Sequence, residues 1–147
     1  MSKNPSNSLS ICPIKIDSKD LVPFFDNRIS AGFPSPAEDE IENKLSLNEL
    51  LITHPEATFF IKVDGDSMQD AHIFKEDILI VDRSIKARHD SIILAVVKGE
   101  FTVKRLIIDG DKIFLKPENP SYPCIAIENP DDFCVWGCVT YIIHKAK

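Results

Sequence analysis

From Thr58 onward the chain is punctuated by turn signals so closely spaced that only short strands fit between them. Thr58-Phe59-Phe60-Ile61-Lys62-Val63 alternates loosely and runs into Asp64-Gly65-Asp66. Ile78-Leu79-Ile80-Val81 and Ile92-Ile93-Leu94-Ala95-Val96-Val97 are brief apolar runs of the kind that form buried strands. Lys98-Gly99 turns the chain into a strand from Glu100 to Ile108, and Asp109-Gly110 turns it again into Lys112 to Leu115, a hairpin signal. A long final strand is expected from Phe133 to Ile143. The spacing predicts a mainly β fold: a compact barrel of mostly antiparallel strands, two short helices near its start and an extended N-terminal arm.

The first 31 residues read as that arm. Pro5, Pro13 and Pro23 interrupt any helix, and Asn and Ser dominate the beginning. The apolar islands Leu9 to Ile16 and Leu21 to Phe25 suit short extended pieces laid on a body. At Ala31-Gly32-Phe33-Pro34 the character changes: Pro34 holds the residue before it extended, and Gly32 permits close backbone approach. Ser35-Pro36-Ala37-Glu38 then predicts a helix start, with Ser35 as N-cap and Pro36 in the first helical position. Ser46-Leu47-Asn48-Glu49 repeats the capping pattern for a second short helix through Leu51, ended by His54-Pro55. The expected division is therefore an arm, 1–31, and a domain, 32–147.

Several function classes are disfavoured. No apolar run approaches the roughly 20 residues that cross a bilayer, and the start lacks the apolar stretch of a secretory signal. A cytoplasmic protein without membrane contact is expected. Cys12, Cys124, Cys134 and Cys138 form no C-x-x-C pair, and His54, His72, His89 and His144 are scattered. No metal and no cofactor is expected, and the cysteines read as buried reduced thiols. Residues 1–31 carry four cations and three acids, a net +1, so the remainder holds −7 of the chain's −6. An acidic body argues against direct binding to nucleic acid, which depends on clustered Lys and Arg. No helix-turn-helix fits into residues 1–31.

Two residues suggest chemistry. Ser67, in Gly65-Asp66-Ser67-Met68, follows a strand directly, so its hydroxyl can point off the sheet beside unengaged backbone N–H groups. Taken alone, Gly-Asp-Ser is a common turn composition. On the strand from Glu100 to Ile108, alternation places Thr102, Lys104, Leu106 and Ile108 on one face and Phe101, Val103, Arg105 and Ile107 on the other. Each face carries one cation. Either both reach out to water, or one lies against the core. A buried Lys104 would favour its neutral form and accept the Ser67 proton, giving a serine–lysine dyad. A Ser67/His72/Asp70 triad is the other arrangement within reach, but His72 reads as a loop residue.

Taken together, the motifs are more specific than either residue. Ala31-Gly32-Phe33-Pro34-Ser35-Pro36-Ala37, Gly65-Asp66-Ser67-Met68 and Glu100-Phe101-Thr102-Val103-Lys104-Arg105-Leu106 resemble, in order and separation, the LexA-like serine–lysine peptidase family (peptidase S24). Leu47-Asn48-Glu49-Leu50-Leu51-Ile52-Thr53-His54-Pro55 is similar to its UmuD-type members, the self-cleaving subunits of SOS mutagenesis polymerases. Ala31 is the residue LexA-type repressors tend to use where UmuD has cysteine, and both are small.

The resemblance implies a LexA-like C-terminal-domain fold, with Ser67 as nucleophile, Lys104 as base and the Ala31-Gly32 bond as the substrate. The backbone N–H groups of Asp66 and Ser67 are the candidates for the oxyanion hole. It also implies a homodimer, activation by a RecA filament on single-stranded DNA, and a Y-family polymerase subunit, UmuC, as partner of the shortened form. A LexA- or phage-repressor-like regulator and a non-catalytic interaction module are the alternatives. A signal peptidase would share the dyad but needs a membrane anchor.

Overall fold

The computed structural model describes residues 21–25, 29, 31–34 and 42–147. They fall into two units, one within residues 15–53 and one built on residues 54–147.

In the first unit, β1 (Leu21–Phe25) pairs antiparallel with β2 (Glu42–Ser46), from Leu21 opposite Ser46 to Phe25 opposite Glu42. The Leu21 island is thus a strand, as its apolar character suggests. Its partner ENKLS is polar and gives no strand signal. The exposed bend at Ala31-Gly32-Phe33-Pro34 belongs to the connection between these two strands. Ser46 then caps α1 (Leu47–Leu51), its hydroxyl accepting the Glu49 N–H at 3.4 Å. The helix stops before His54-Pro55: the Ile52 N–H closes its last turn on the Asn48 carbonyl, and Pro55–Ala57 is a separate 3₁₀ turn. The helix expected from Ser35 lies outside the described residues.

The second unit is one seven-stranded antiparallel sheet, ordered β3-β4-β9-β5-β6-β7-β8. Its strands are β3 (Thr58–Lys62), β4 (Ile78–Asp82), β5 (Ile92–Val97), β6 (Glu100–Asp109), β7 (Lys112–Lys116), β8 (Ile125–Ile127) and β9 (Phe133–Ile143). Lys98 and Gly99 both take positive φ, 49° and 81°, so β5 and β6 meet through the two-residue turn that matches strand twist. The next turn falls one residue later than its sequence signal, on Gly110-Asp111, with Asp109 still paired to Lys112.

The long last strand is central, hydrogen-bonded to β4 on one side and β5 on the other, with an irregularity in each ladder. Gly137 sits there because a Cβ would lie 2.6 Å from Val81 Cγ1. Two apolar clusters form the core. One contains Met68, Ile73, Leu79, Val81 and Leu94; the other contains Ile93, Ala95, Leu106, Leu115 and Cys138.

The cysteine expectation needs correction. Cys138 is buried, and burial, with the nearby Asp82 charge, pushes its thiol up, but Cys124 and Cys134 are exposed. The irregularity in the β5 ladder, where Leu94 pairs with Gly137 and Ala95 with Val135, breaks the alternation that would put Cys134 on the face of Cys138, and Cys124 lies before the edge strand β8. Among the described residues, no helix is long and apolar enough to cross a membrane, and no cluster of His, Cys, Asp and Glu gathers in a metal-binding arrangement.

Candidate active site

The chain leaves β3, turns at Gly65 with φ 114°, and enters a 3₁₀ turn at Gln69–Ala71. Met68 fixes this turn: its side chain is 3% exposed, embedded with Ile73, Leu79, Val81 and Leu94. Burying Met68 leaves the preceding residue, Ser67, at the margin of the core and half-exposed. Among the described residues, neither the Asp66 nor the Ser67 backbone N–H finds a hydrogen-bond acceptor.

Strand β6 brings the second group. Of its two cations it is Lys104 that is buried, at 8% exposure, beside the buried Leu106 of the same face. Arg105, on the opposite face, is half-buried and paired with Glu118 at 2.6 Å. The Lys104 Nζ lies 3.1 Å from Ser67 Oγ, 2.7 Å from Thr102 Oγ1 and 3.1 Å from the Val103 carbonyl. Among the described residues its hydrogen-bond partners are two hydroxyls and a carbonyl, with no carboxylate. Desolvation therefore holds the Lys104 ammonium below the ordinary lysine range.

As an ammonium, Nζ donates to all three oxygens; once it loses a proton, one of these contacts must reverse. The neutral amine would keep its N–H bonds to Thr102 Oγ1 and the Val103 carbonyl and turn its lone pair to the Ser67 hydroxyl, which would then donate. Thr102 was missed as a site residue by sequence reasoning. Its position two residues before Lys104, on the same strand face, was the signal available.

A cleft of ≈ 230 Å³ opens beside Ser67, with Ile61, Val63, Ile73, Leu94 and Val103 among its walls. Its apolar walls and modest volume suit an extended segment with small side chains. His72 makes no hydrogen bond to Ser67. It caps the 3₁₀ turn at φ 62° and is exposed, so the Ser67/His72/Asp70 arrangement does not form.

Two other histidines pair with buried carboxylates, His54 with Asp82 at 2.6 Å and His144 with Asp77 at 2.5 Å, at opposite ends of β4. Burial by itself raises both carboxyls. Hydrogen bonds from Ser84 and His54 to Asp82, and from the Phe74 N–H and His144 to Asp77, outweigh it and hold both below the ordinary range. Neither histidine hydrogen-bonds a serine.

Residues 23–140 match the family model described as Peptidase S24-like. The chain is similar to Protein MucA of Escherichia coli, at 46% identity over 82% of each chain. It is also similar to Protein ImpA of Shigella flexneri, at 42% over 85% of each. To Protein SamA of Salmonella typhimurium it is 40% identical, over 95% of this chain and 96% of that one.

Proposed function

The chain belongs to the peptidase S24-like family, a serine-peptidase family, and from that premise we propose that it hydrolyses its own Ala31-Gly32 bond with Ser67 as nucleophile and Lys104 as base. The observation that carries the reading is the 3.1 Å approach of a buried lysine amine to a serine hydroxyl at the mouth of an apolar cleft.

In the reaction, the neutral Nζ takes the Ser67 proton as Oγ attacks the Ala31 carbonyl carbon. The N–H groups of Asp66 and Ser67 stabilise the resulting oxyanion. Collapse breaks the bond to the Gly32 nitrogen, which receives the proton from Lys104 and leaves as an amine. Ala31 is then an ester on Ser67, and a water deprotonated by Lys104 hydrolyses it. Because the substrate is tethered, effective concentration replaces tight binding.

The sequence resemblance to UmuD-type proteins supports the proposed biological setting. The intact chain is a resting form, activated by a RecA filament on single-stranded DNA. The product 32–147 is a homodimeric accessory subunit of an error-prone Y-family polymerase. The test is to incubate the purified chain at mildly alkaline pH and follow its mass. Fragments ending at Ala31 and starting at Gly32, and none from Ser67→Ala, are expected. A wild-type chain that stays whole with and without the activating filament would overturn the reading.

A further inference from the structure

The segment Glu118–Tyr122, between β7 and β8, grips the nucleophile turn on both sides of Ser67. Asn119 Nδ2 donates to the Asp66 carbonyl at 2.9 Å, while Asn119 Oδ1 accepts the Ser121 N–H at 3.0 Å. The Tyr122 hydroxyl donates to the Asp66 carboxylate at 2.6 Å, and this bond and the carboxylate charge push the phenol up. Beyond Ser67, the Asp70 N–H donates to the Glu118 carbonyl at 2.8 Å. The Glu118 carboxylate is in turn held by Arg105, which also donates to the Asp90 carbonyl at 2.7 Å. Arg105 follows Lys104 on β6. The turn carrying the nucleophile and the strand carrying the base are therefore tied through one loop.

The geometry of the peptide group gives this grip a chemical consequence. The Asp66 carbonyl and the Ser67 N–H belong to one planar trans peptide, so they point in opposite directions. Fixing the carbonyl fixes the N–H. Asn119 is 6% exposed, and both ends of its amide are engaged, so its own orientation is set. Resting on the peptidase reading above, we infer that Asn119, aided by Tyr122, is a positioning residue that aims the Ser67 N–H at the developing oxyanion.

The role predicts a particular kinetic signature. Asn119→Ala removes the donor to the Asp66 carbonyl without bringing a new charge near Lys104. Its cutting rate is expected to fall on the order of 30-fold, somewhat less than for outright loss of an oxyanion donor. The fall should be uniform across pH, leaving the midpoint of the rate profile in place, because nothing around the Lys104 amine has changed. Tyr122→Phe removes only an exposed hydroxyl, so folding is spared, and a several-fold fall is expected.

The experiment combines rate–pH profiles with amide hydrogen exchange of Gln69 and Asp70 on the intact chain, for wild type, Ser67→Ala and both variants. Exchange at least tenfold faster in the variants, together with lowered plateaus and unmoved midpoints, supports the inference. Wild-type rates in both variants overturn it while leaving the peptidase reading intact, provided Ser67→Ala is inert. A midpoint that moves with the plateau also overturns it, since the loop would then act on Lys104. Should wild type fail to cut, the peptidase reading falls and exchange alone judges the clamp, with unchanged protection counting against it.

Discussion

Lys104 loses most of its hydration in the fold and gains no opposing charge among the described residues, so the lysine proposed as the base weakens the protein. The unfolded chain binds the proton more tightly than the folded one. Between the two pKa values stability therefore rises with pH. Lys104→Met keeps the aliphatic stem and removes the ionisable end. It should abolish cutting while raising stability on the order of 1 kcal/mol, a gain that thermal melting would detect as a few degrees. An unchanged or lower melting temperature would mean the amine is better solvated than its burial indicates. The same ionisation governs the rate: only the neutral amine accepts the Ser67 proton, so unassisted cutting should climb from neutral toward alkaline pH and level off below the ordinary lysine range. Lys104→Arg stays protonated and should be inert at every pH, and Ser67→Ala equally so. A flat rate profile would count against lysine as the base. At this scale the sequence was half legible. Alternation along β6 offered one cation to each face, and only the Glu118 carboxylate, far along the chain, shows why Arg105 turns away from Ser67.

Strand pairing decides what happens after the bond is cut. β1 and β2 lie on either side of Ala31-Gly32 and, among the described residues, form a two-stranded sheet. Pro23, opposite Lys44, has no N–H to give to that ladder. A two-stranded sheet is marginal in water, and here the connection between the strands supplies the effective concentration that keeps them paired. Hydrolysis removes the connection. The pairing becomes bimolecular, and at micromolar protein residues 1–31 should dissociate from residues 32–147. Native mass spectrometry of the cut Ala31/Gly32 product tests this, and a stoichiometric complex of both fragments would contradict it. Elements were legible where side chains carry a signal of their own: the turns at Gly99 and Gly110, the Ser46 cap and the apolar runs of β4, β5 and β9. β2 was not, because ENKLS becomes a strand only through its distant partner. The bracing at Asn119 and Tyr122 was equally hidden, since each bonds Asp66 more than fifty positions away.

For the molecule as a whole, the proposed cut at Gly32 would separate what is needed to fold from what is needed to wait. Among the described residues, the buried members of both apolar clusters lie within residues 68–138. The net +1 arm leaves with its charge, and the remaining body, at −7, presents a more acidic surface than the intact chain. That change, with the loss of β1 from β2, alters the surface offered to a partner while leaving the sheet of residues 58–143 whole. Residues 32–147 expressed alone should therefore melt cooperatively, within a few degrees of the intact Ser67→Ala chain, with α1 still capped by Ser46. They should also bind the Y-family polymerase subunit at least tenfold more tightly than that uncut chain does. The uncut comparison needs the Ser67→Ala form, because a self-cleaving chain would convert during the measurement. Affinity should be compared at two salt concentrations, since a charge-driven preference weakens as salt screens it. Equal affinity of the two forms would leave cutting without an effect on partner choice. An unfolded fragment would instead assign the arm to the structural core.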